Sequence, residues 1–395
     1  MSPKSDCSRR QFLVRSAGVA GASIGLGATQ DLPAAGGEVR LGFVGLGDRG
    51  RQLLGAALAA SGVRVVAFCD VDPRNLKRAL DIVDGHEAGA GEVTSSVRGS
   101  RGVGGPRGFT DVRALVDAKD VDAIVIATPV FLHREHTLAA LAAGKHVYCE
   151  KPMALDPCEC RDVLEACREA GARGQIYQSG LQRRYSPRYR ESIRFLHQGG
   201  AGQVLFVRAQ WHAVGSARKN KPWIYRRGKS GDIVLEQASH QFDVFNWVFD
   251  APPVAAIGMG GRNHPGESPP LCDVLDHYGA VLEYPGGAKV HFSHLSYAIP
   301  DRRFCGIYEL VFGEKTGVDL ANALTWDSSG RTRELCSGRG NETKLAMASF
   351  VDSVIHGRRP DADCEAAYRA AISAILCREA VASGQRVTWS GIEAV

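Results

Sequence analysis

A chain of 395 residues, 44% hydrophobic and 23% charged, has globular composition and length enough for two domains. Its formal net charge of +5 includes the arginines of an unusual N-terminus, so the charge balance implies no nucleic-acid partner. The 11 cysteines contain no C-x-x-C pair and no disulfide framework, and Cys158 and Cys160 are spaced for neither a zinc knuckle nor a redox pair. Most are therefore expected to be small core residues, and no metal site is expected.

Residues 1–37 stand apart. Ser8-Arg9-Arg10-Gln11-Phe12-Leu13 is a twin-arginine pattern, and Ser16 to Ala28 is an uncharged, weakly apolar run rich in Gly and Ala. That run is too short and too mild for a transmembrane helix. It reads as a signal for the twin-arginine export machinery, with cleavage near Ala35 or an uncleaved anchor as the two outcomes. The expected location is periplasmic, or membrane-anchored by the retained signal.

Residues 38–152 read as a first domain. Val39 to Val44 is a short apolar strand running into Gly45-Leu46-Gly47-Asp48-Arg49-Gly50 and a helix from Arg51 to Ala60. This is G-x-G-x-x-G between strand and helix, the context in which the motif binds a dinucleotide. Gly45 permits the tight turn, Gly47 lets backbone approach a pyrophosphate, and Gly50 allows close helix–strand packing. A second strand, Val63 to Cys69, delivers Asp70, whose carboxylate accepts from ribose hydroxyls and repels a 2′-phosphate. NAD is expected over NADP, which the nearby Arg74 keeps open. Gly85 to Gly108 is rich in Gly, Ser and Arg without periodicity and reads as a mobile insertion, with a lid or docking loop as its functional alternative. Phe109 to Lys119 reads as a helix, Val121 to Ala127 as a buried strand, Thr137 to Ala143 as a helix and Lys145 to Cys149 as a strand. Thr128-Pro129 and Glu150-Lys151-Pro152 occupy the two strand ends, where α/β folds place ligands. Repeated βα units imply a doubly wound parallel sheet.

Residues 153–395 read as a second domain of helices and an antiparallel sheet. A helix from Pro152 to Arg173 is expected to cross into it, followed by a strand, Gln175 to Ser179, and by Arg183-Arg184-Tyr185. Strands are expected at Gln203–Trp211, Val254–Gly261, Tyr278–Tyr284, Lys289–Ser296, Tyr308–Phe312 and Val318–Leu320. The helix from Gly231 to Phe249 carries an apolar stripe on one side. Glu236, His240, Asp243 and Trp247 recur at i, i+4, i+7 and i+11 on another. Polar groups on so apolar a helix need partners or a function. Trp223, with His212, Tyr225, Lys229 and His264, lies in loops able to reach a sugar, and a last amphipathic helix runs from Ala366 to Ala380.

The glycine turn, Asp70, Ala127-Thr128-Pro129 with His133, and Ala143-Gly144-Lys145-His146-Val147 leading to Glu150-Lys151-Pro152 together resemble the Gfo/Idh/MocA family, named for glucose–fructose oxidoreductase and inositol dehydrogenase. The resemblance covers nearly all of the chain beyond the signal. It implies a Rossmann domain followed by an α+β domain with an open, mostly antiparallel sheet whose outer face makes homodimers or homotetramers. It also implies that Gly45, Gly47, Asp48, Arg49, Gly50, Asp70, Thr128, Pro129, His133, Glu150 and Lys151 bind the cofactor. His240 matches the family's catalytic histidine, Lys151 the lysine that hydrogen-bonds the reacting oxygen, and Glu236 stands where an aspartate is usual. Arg184, Tyr185, Trp223 and Asp243 are the expected substrate contacts.

The implied activity is oxidation of a sugar or polyol hydroxyl. Free NAD(H) is not expected to be resupplied outside the cytoplasm, so an exported enzyme of this kind should keep its cofactor bound and restore it each turnover. A redox-neutral NAD-dependent glycosidase is the alternative, although Gln237-Ala238-Ser239-His240 lacks that branch's tyrosine-proline-threonine-histidine element. A non-catalytic binding protein on the same scaffold is the third reading.

Overall fold

Short apolar runs become strands enclosed on both faces, as a parallel sheet flanked by helices requires. The computed structural model describes residues 37–89, 105–213, 221–263 and 272–394; the twin-arginine segment, residues 90–104 and His264 lie outside the described residues. Strands β1 (Val39–Val44), β2 (Val63–Cys69), β3 (Arg107–Phe109), β4 (Ala123–Ile126), β5 (His146–Cys149) and β6 (Tyr177–Ser179) form one parallel sheet in the order β3-β2-β1-β4-β5-β6. Between them run α1 (Asp48–Leu58), α2 (Pro73–Gly89), α3 (Val112–Val116), α4 (His133–Ala142) and α5 (Pro157–Ala172). The strand order reverses between β1 and β4, which opens the crevice where α/β folds bind ligands.

Several expected boundaries move. The insertion is shorter than 85–108, because α2 continues to Gly89 and β3 begins at Arg107. Phe109 pairs with Cys69 as a strand residue, and the following helix spans only Val112–Val116, capped by Asp111 accepting from the Arg113 amide. Helix α4 starts at His133 rather than Thr137. The largest correction concerns the domain boundary. Helix α5, with Pro157 in its first turn and Asp156 accepting from the Glu159 amide, does not cross into the second domain. It returns to the first sheet, which takes β6 as its sixth strand, well past residue 152.

The second sheet has nine strands: β7 (Val204–His212), β8 (Ala255–Gly261), β9 (His277–Glu283), β10 (Lys289–Leu295), β11 (Gly306–Gly313), β12 (Gly317–Asp319), β13 (Leu324–Trp326), β14 (Thr332–Glu334) and β15 (Val387–Thr388). Their order is β14-β13-β12-β11-β7-β10-β9-β8-β15, antiparallel except where β7 meets β10. Ahead of and between these strands come α6 (Pro187–His197), α7 (Arg227–Ser230) and α8 (Ile233–Phe249); α9 (Glu342–His356), α10 (Cys364–Ser383) and α11 (Trp389–Glu393) complete the chain. Helices α8 and α10 pack on each other and share the core of this sheet. The final long helix, expected to be amphipathic, is buried on most sides.

Helix α9 had no counterpart among the expected elements. It packs on α1, and its Met347, Phe350, Val351 and Val354 enter the core of the first sheet beside Leu53 and Leu54. Phe350 meets Tyr148 edge-on, ring centroids 5.6 Å apart. The chain therefore ends by reinforcing the domain it began with. Of the ten described cysteines, Cys69, Cys149, Cys160, Cys167 and Cys377 are buried; the other five are only partly covered, and all ten are free thiols. Among the described residues no helix is long and apolar enough to cross a membrane. Phe350→Ala, which empties a fully buried aromatic site, should cost about 3–5 kcal/mol. Urea unfolding followed by tryptophan fluorescence checks this, with a loss under about 1 kcal/mol counting against the docking of α9.

Candidate functional site

The glycines of the first turn have separate steric reasons. Gly45 has φ +85°, and a Cβ there would stand 2.8 Å from the Ala127 carbonyl and the Thr128 nitrogen. A Cβ on Gly50 would stand 2.0 Å from the Gly45 oxygen. At Gly47 a Cβ would meet no protein atom within 4 Å, so its bareness serves no contact inside the protein. Gly47 also begins α1 without a side-chain cap, leaving first-turn amides for an anionic ligand. Asp48, expected to bind the cofactor, pairs with Arg51 at 2.8 Å. Asp70 at the tip of β2 accepts from the Leu46 amide (2.7 Å), the Asp72 amide (2.8 Å) and Asn75 Nδ2 (3.2 Å). It thus holds the glycine turn in shape and keeps acceptor capacity for a hydroxyl pair. The open face at Gly47, the uncapped helix and the anchored carboxylate fit a dinucleotide.

Arg49 and Glu150, expected at the cofactor, bind each other. Arg49 Nε binds Glu150 Oε1 at 2.7 Å, and its other nitrogens reach Gln182 Oε1 at 2.5 Å and Thr343 Oγ1 at 3.0 Å. Glu150 is buried beneath Gly180, where a Cβ would stand 2.6 Å from its carboxylate. The pair is an internal brace joining α1, the end of β5, the turn at Gln182–Tyr185 and α9. Thr128 and Pro129 lie where expected, at the end of β4. His133 reaches from α4 to the backbone carbonyls of Thr128 and Pro152, one with each ring nitrogen, so it acts on the cleft through the turns it holds.

Lys151, on a cis Lys151–Pro152 peptide, crosses to the second domain. Its ammonium donates to the Glu236 carbonyl and lies 3.8 Å from the Glu236 carboxylate. Helix α8 is aimed by its first turn. Asp232, at φ +81°, caps Ile233 at 2.7 Å and accepts from the Tyr278 hydroxyl. A non-glycine residue in that conformation is strained and is held by these bonds. The polar face of α8 then divides. Glu236 and His240 face Lys151, whereas Asp243 binds Arg184 in a buried bidentate pair (2.7–2.9 Å) and Arg184 lies 5.2 Å from the centre of the Trp247 ring. Tyr185 accepts from the Ala362 amide at 3.1 Å and is buried. Arg184, Tyr185 and Asp243, expected at the substrate, are thus engaged with protein partners, and Arg184 also lines a recess. Trp223 and Lys229 line a recess of about 400 Å³ beside the cofactor-side turn, with Lys229 5.1 Å from the Phe131 ring centre. A recess of about 420 Å³ lies beyond the Arg184–Asp243 pair, and neither Lys151, Glu236 nor His240 lines it.

His240 lies parallel to Trp211, planes within 6° and centroids 6.3 Å apart. Among the described residues its buried Nδ1 has no hydrogen-bond partner, a costly state unless a ligand or water completes it. Burial first, then the charges of Lys151, Arg183 and Arg49, hold the ring well below its ordinary 6.5, so it is neutral at pH 7. Arg183 and Trp211 were not singled out from the sequence. Arg183 pairs with buried Glu309 at 2.5 Å, and Tyr189 and Gln241 complete that carboxylate at 2.8 and 2.7 Å. Strand alternation through Val207 and Ala209 puts Trp211 on the inner face and could have flagged it. Nothing in Arg183-Arg184 says which arginine of a 3₁₀ turn faces the cleft.

Two family models match the chain: an oxidoreductase family with an NAD-binding Rossmann fold over residues 39–178, and the GFO/IDH/MocA C-terminal domain over residues 189–317. The chain belongs to the Gfo/Idh/MocA oxidoreductase family. It is 25% identical over 353 residues to 1,5-anhydro-D-fructose reductase of Ensifer adhaerens, covering 88% of this chain and 97% of that one. It is 27% identical over 359 residues to inositol 2-dehydrogenase 3 of Saccharopolyspora erythraea, covering 88% and 95%. Its fold matches a levoglucosan dehydrogenase solved with NADH and levoglucosan, with TM-score 0.74, 19% identity and 89% and 99% coverage. A myo-inositol 2-dehydrogenase from Lactobacillus plantarum gives TM-score 0.70 at 22% identity, with the same coverage. A histidine lowered by the fold refuses a proton that the unfolded chain accepts, so stability falls as pH drops below 6.5. Replacing it by His240→Asn should flatten that part of the pH–stability profile, read as urea midpoints at about pH 5 and about pH 7. Equal slopes in variant and parent would contradict the lowered histidine.

Proposed function

We propose that this family member is an NAD-dependent dehydrogenase of sugar or polyol hydroxyl groups, exported in folded form, that retains its dinucleotide and restores it within each catalytic cycle. The observation that carries the reading is Lys151, at the mouth of the cofactor cleft, held against Glu236 one helical turn from a neutral His240. Bound NAD supplies the hydride acceptor. His240 would hold and remove the proton of the substrate hydroxyl, a task that needs an unprotonated ring. Lys151 donates to the reacting oxygen as its charge grows, and Glu236 keeps the ammonium aimed. Relatives named for anhydrofructose and inositol support a polyhydroxylated substrate. NAD is favoured over NADP because Asp70 sits at the ribose end and Arg74 is bound to Asp72 at 2.7 Å. The twin-arginine pattern supports export, and export makes a retained cofactor economical. The outer face of the second sheet presents Phe206, Ile257, Met259, Val281 and Phe312, an apolar patch suited to a homodimer or homotetramer.

Three measurements test this. Purified protein without added cofactor should carry NAD(H), identified by mass, and one sugar should raise the reduced-nicotinamide absorbance while another lowers it. Protein that arrives empty and exchanges NAD freely would remove the closed cycle. Lys151→Met should lower kcat by about 10²–10³ with dinucleotide affinity kept, as expected for a donor acting in the transition state; an unchanged kcat sinks its assigned role. Met259→Glu should reduce the mass measured by light scattering to that of a smaller assembly, and a monomeric parent protein would refute the oligomer.

A further inference from the structure

His133 is 1% exposed, with Nδ1 2.8 Å from the Pro152 carbonyl oxygen and Nε2 2.9 Å from the Thr128 carbonyl oxygen. A carbonyl oxygen only accepts, so a ring that satisfies both must donate from both nitrogens. A neutral imidazole has one proton. Its bare nitrogen would face an oxygen lone pair at hydrogen-bond distance, out of reach of water. We propose that His133 is a standing imidazolium at neutral pH, a buried cationic cross-brace that ties the Thr128-Pro129 turn to the Glu150-Lys151-Pro152 turn and so positions the cofactor cleft and Lys151.

The topology gives this bond its leverage. Thr128 follows β4 and Pro152 follows β5, two neighbouring strands whose ladder ends before the turns begin. Past that point His133, projecting from the start of α4, is bonded to both turns. The surroundings agree. Burial by itself lowers the ring, but the Cys149 sulfur from β5 and the two carbonyls outweigh it and raise the group to about 9. His136, on the same helix, is pushed down by burial and meets Thr128 Oγ1 at 3.2 Å, so it remains the neutral neighbour. Glu135 lies on the exposed side of α4, while the Glu150 carboxylate is turned to Arg49 and the Lys151 ammonium to Glu236. A histidine raised by the fold stabilises it fully below 6.5 and loses that contribution as pH rises through about 9. Above that pH the two turns are no longer held together.

The first arm of the test needs no cofactor. In full-length protein freed of any dinucleotide and labelled with ¹⁵N-histidine, both His133 ring nitrogens should carry protons at neutral pH. One should lose its proton only as pH passes about 9. A bare ring nitrogen on His133 at neutral pH overturns the proposal, whatever the enzyme's substrate. In the second arm, the Kd for NADH should rise several-fold over the same pH interval. His133→Gln should start with the weaker affinity and show no such step. A parent Kd flat through that interval, or the same step in the variant, overturns the positioning role. Should His133→Gln fail to fold, the parent protein's ring titration and its Kd profile still decide.

Discussion

Much of the site's geometry depends on one ion pair inside the first domain, Arg49–Glu150. Arg49 belongs to the glycine-rich turn and Glu150 to the end of β5, and the remaining guanidinium nitrogens hold Gln182 and Thr343. Such a pair is little evidence of stability, because desolvating both charges offsets most of their attraction. Its value is geometric. A planar guanidinium with several fixed partners sets the angle between four elements, where an apolar contact would let them slide. Lys151 is the next residue in the chain, so its reach to Glu236 inherits that angle.

Helix α8 shows how one apolar helix is divided between chemistry and support. Its upper polar turn carries Glu236 and His240 towards Lys151, and its lower turns surrender Asp243 and Trp247 to Arg184. Both are needed. Burial and three nearby cations keep the histidine neutral, and the Arg184–Asp243 and Arg183–Glu309 pairs pin the turn that crosses the helix. The strained Asp232 at the head of the same helix points to the same economy: backbone strain is tolerated where the direction of a helix matters.

Much of the fold was legible in residue order alone. β1 and β2 lie where alternation and apolar runs place them, and the glycine turn has the steric demands its spacing implies, because these are short-range constraints. Gly50 must be glycine for a contact only five residues away in sequence. Lys151 and His240 were singled out through their family motif, although 89 positions separate them and only folding brings them near each other. For Arg49, Glu150, Arg184, Tyr185 and Asp243 the residue order did not reveal the protein partners that each one has. Each is a polar residue near a site, and sequence does not distinguish a group that touches a ligand from one bound to another side chain.

What the sequence determined by itself is the class of the protein: a dinucleotide turn, a parallel sheet, an antiparallel partner sheet and the chemical types available at the cleft. Local sterics and hydrophobic period decide these, and both are written in near neighbours. Tertiary structure decided which charges are used up. Arg183 rather than Arg184 stands near His240, α9 returns to a sheet begun some 300 residues earlier, and His133 spends both nitrogens on backbone. Those outcomes depend on which long-range partner satisfies each buried polar group, and that pairing exists only once the chain has folded.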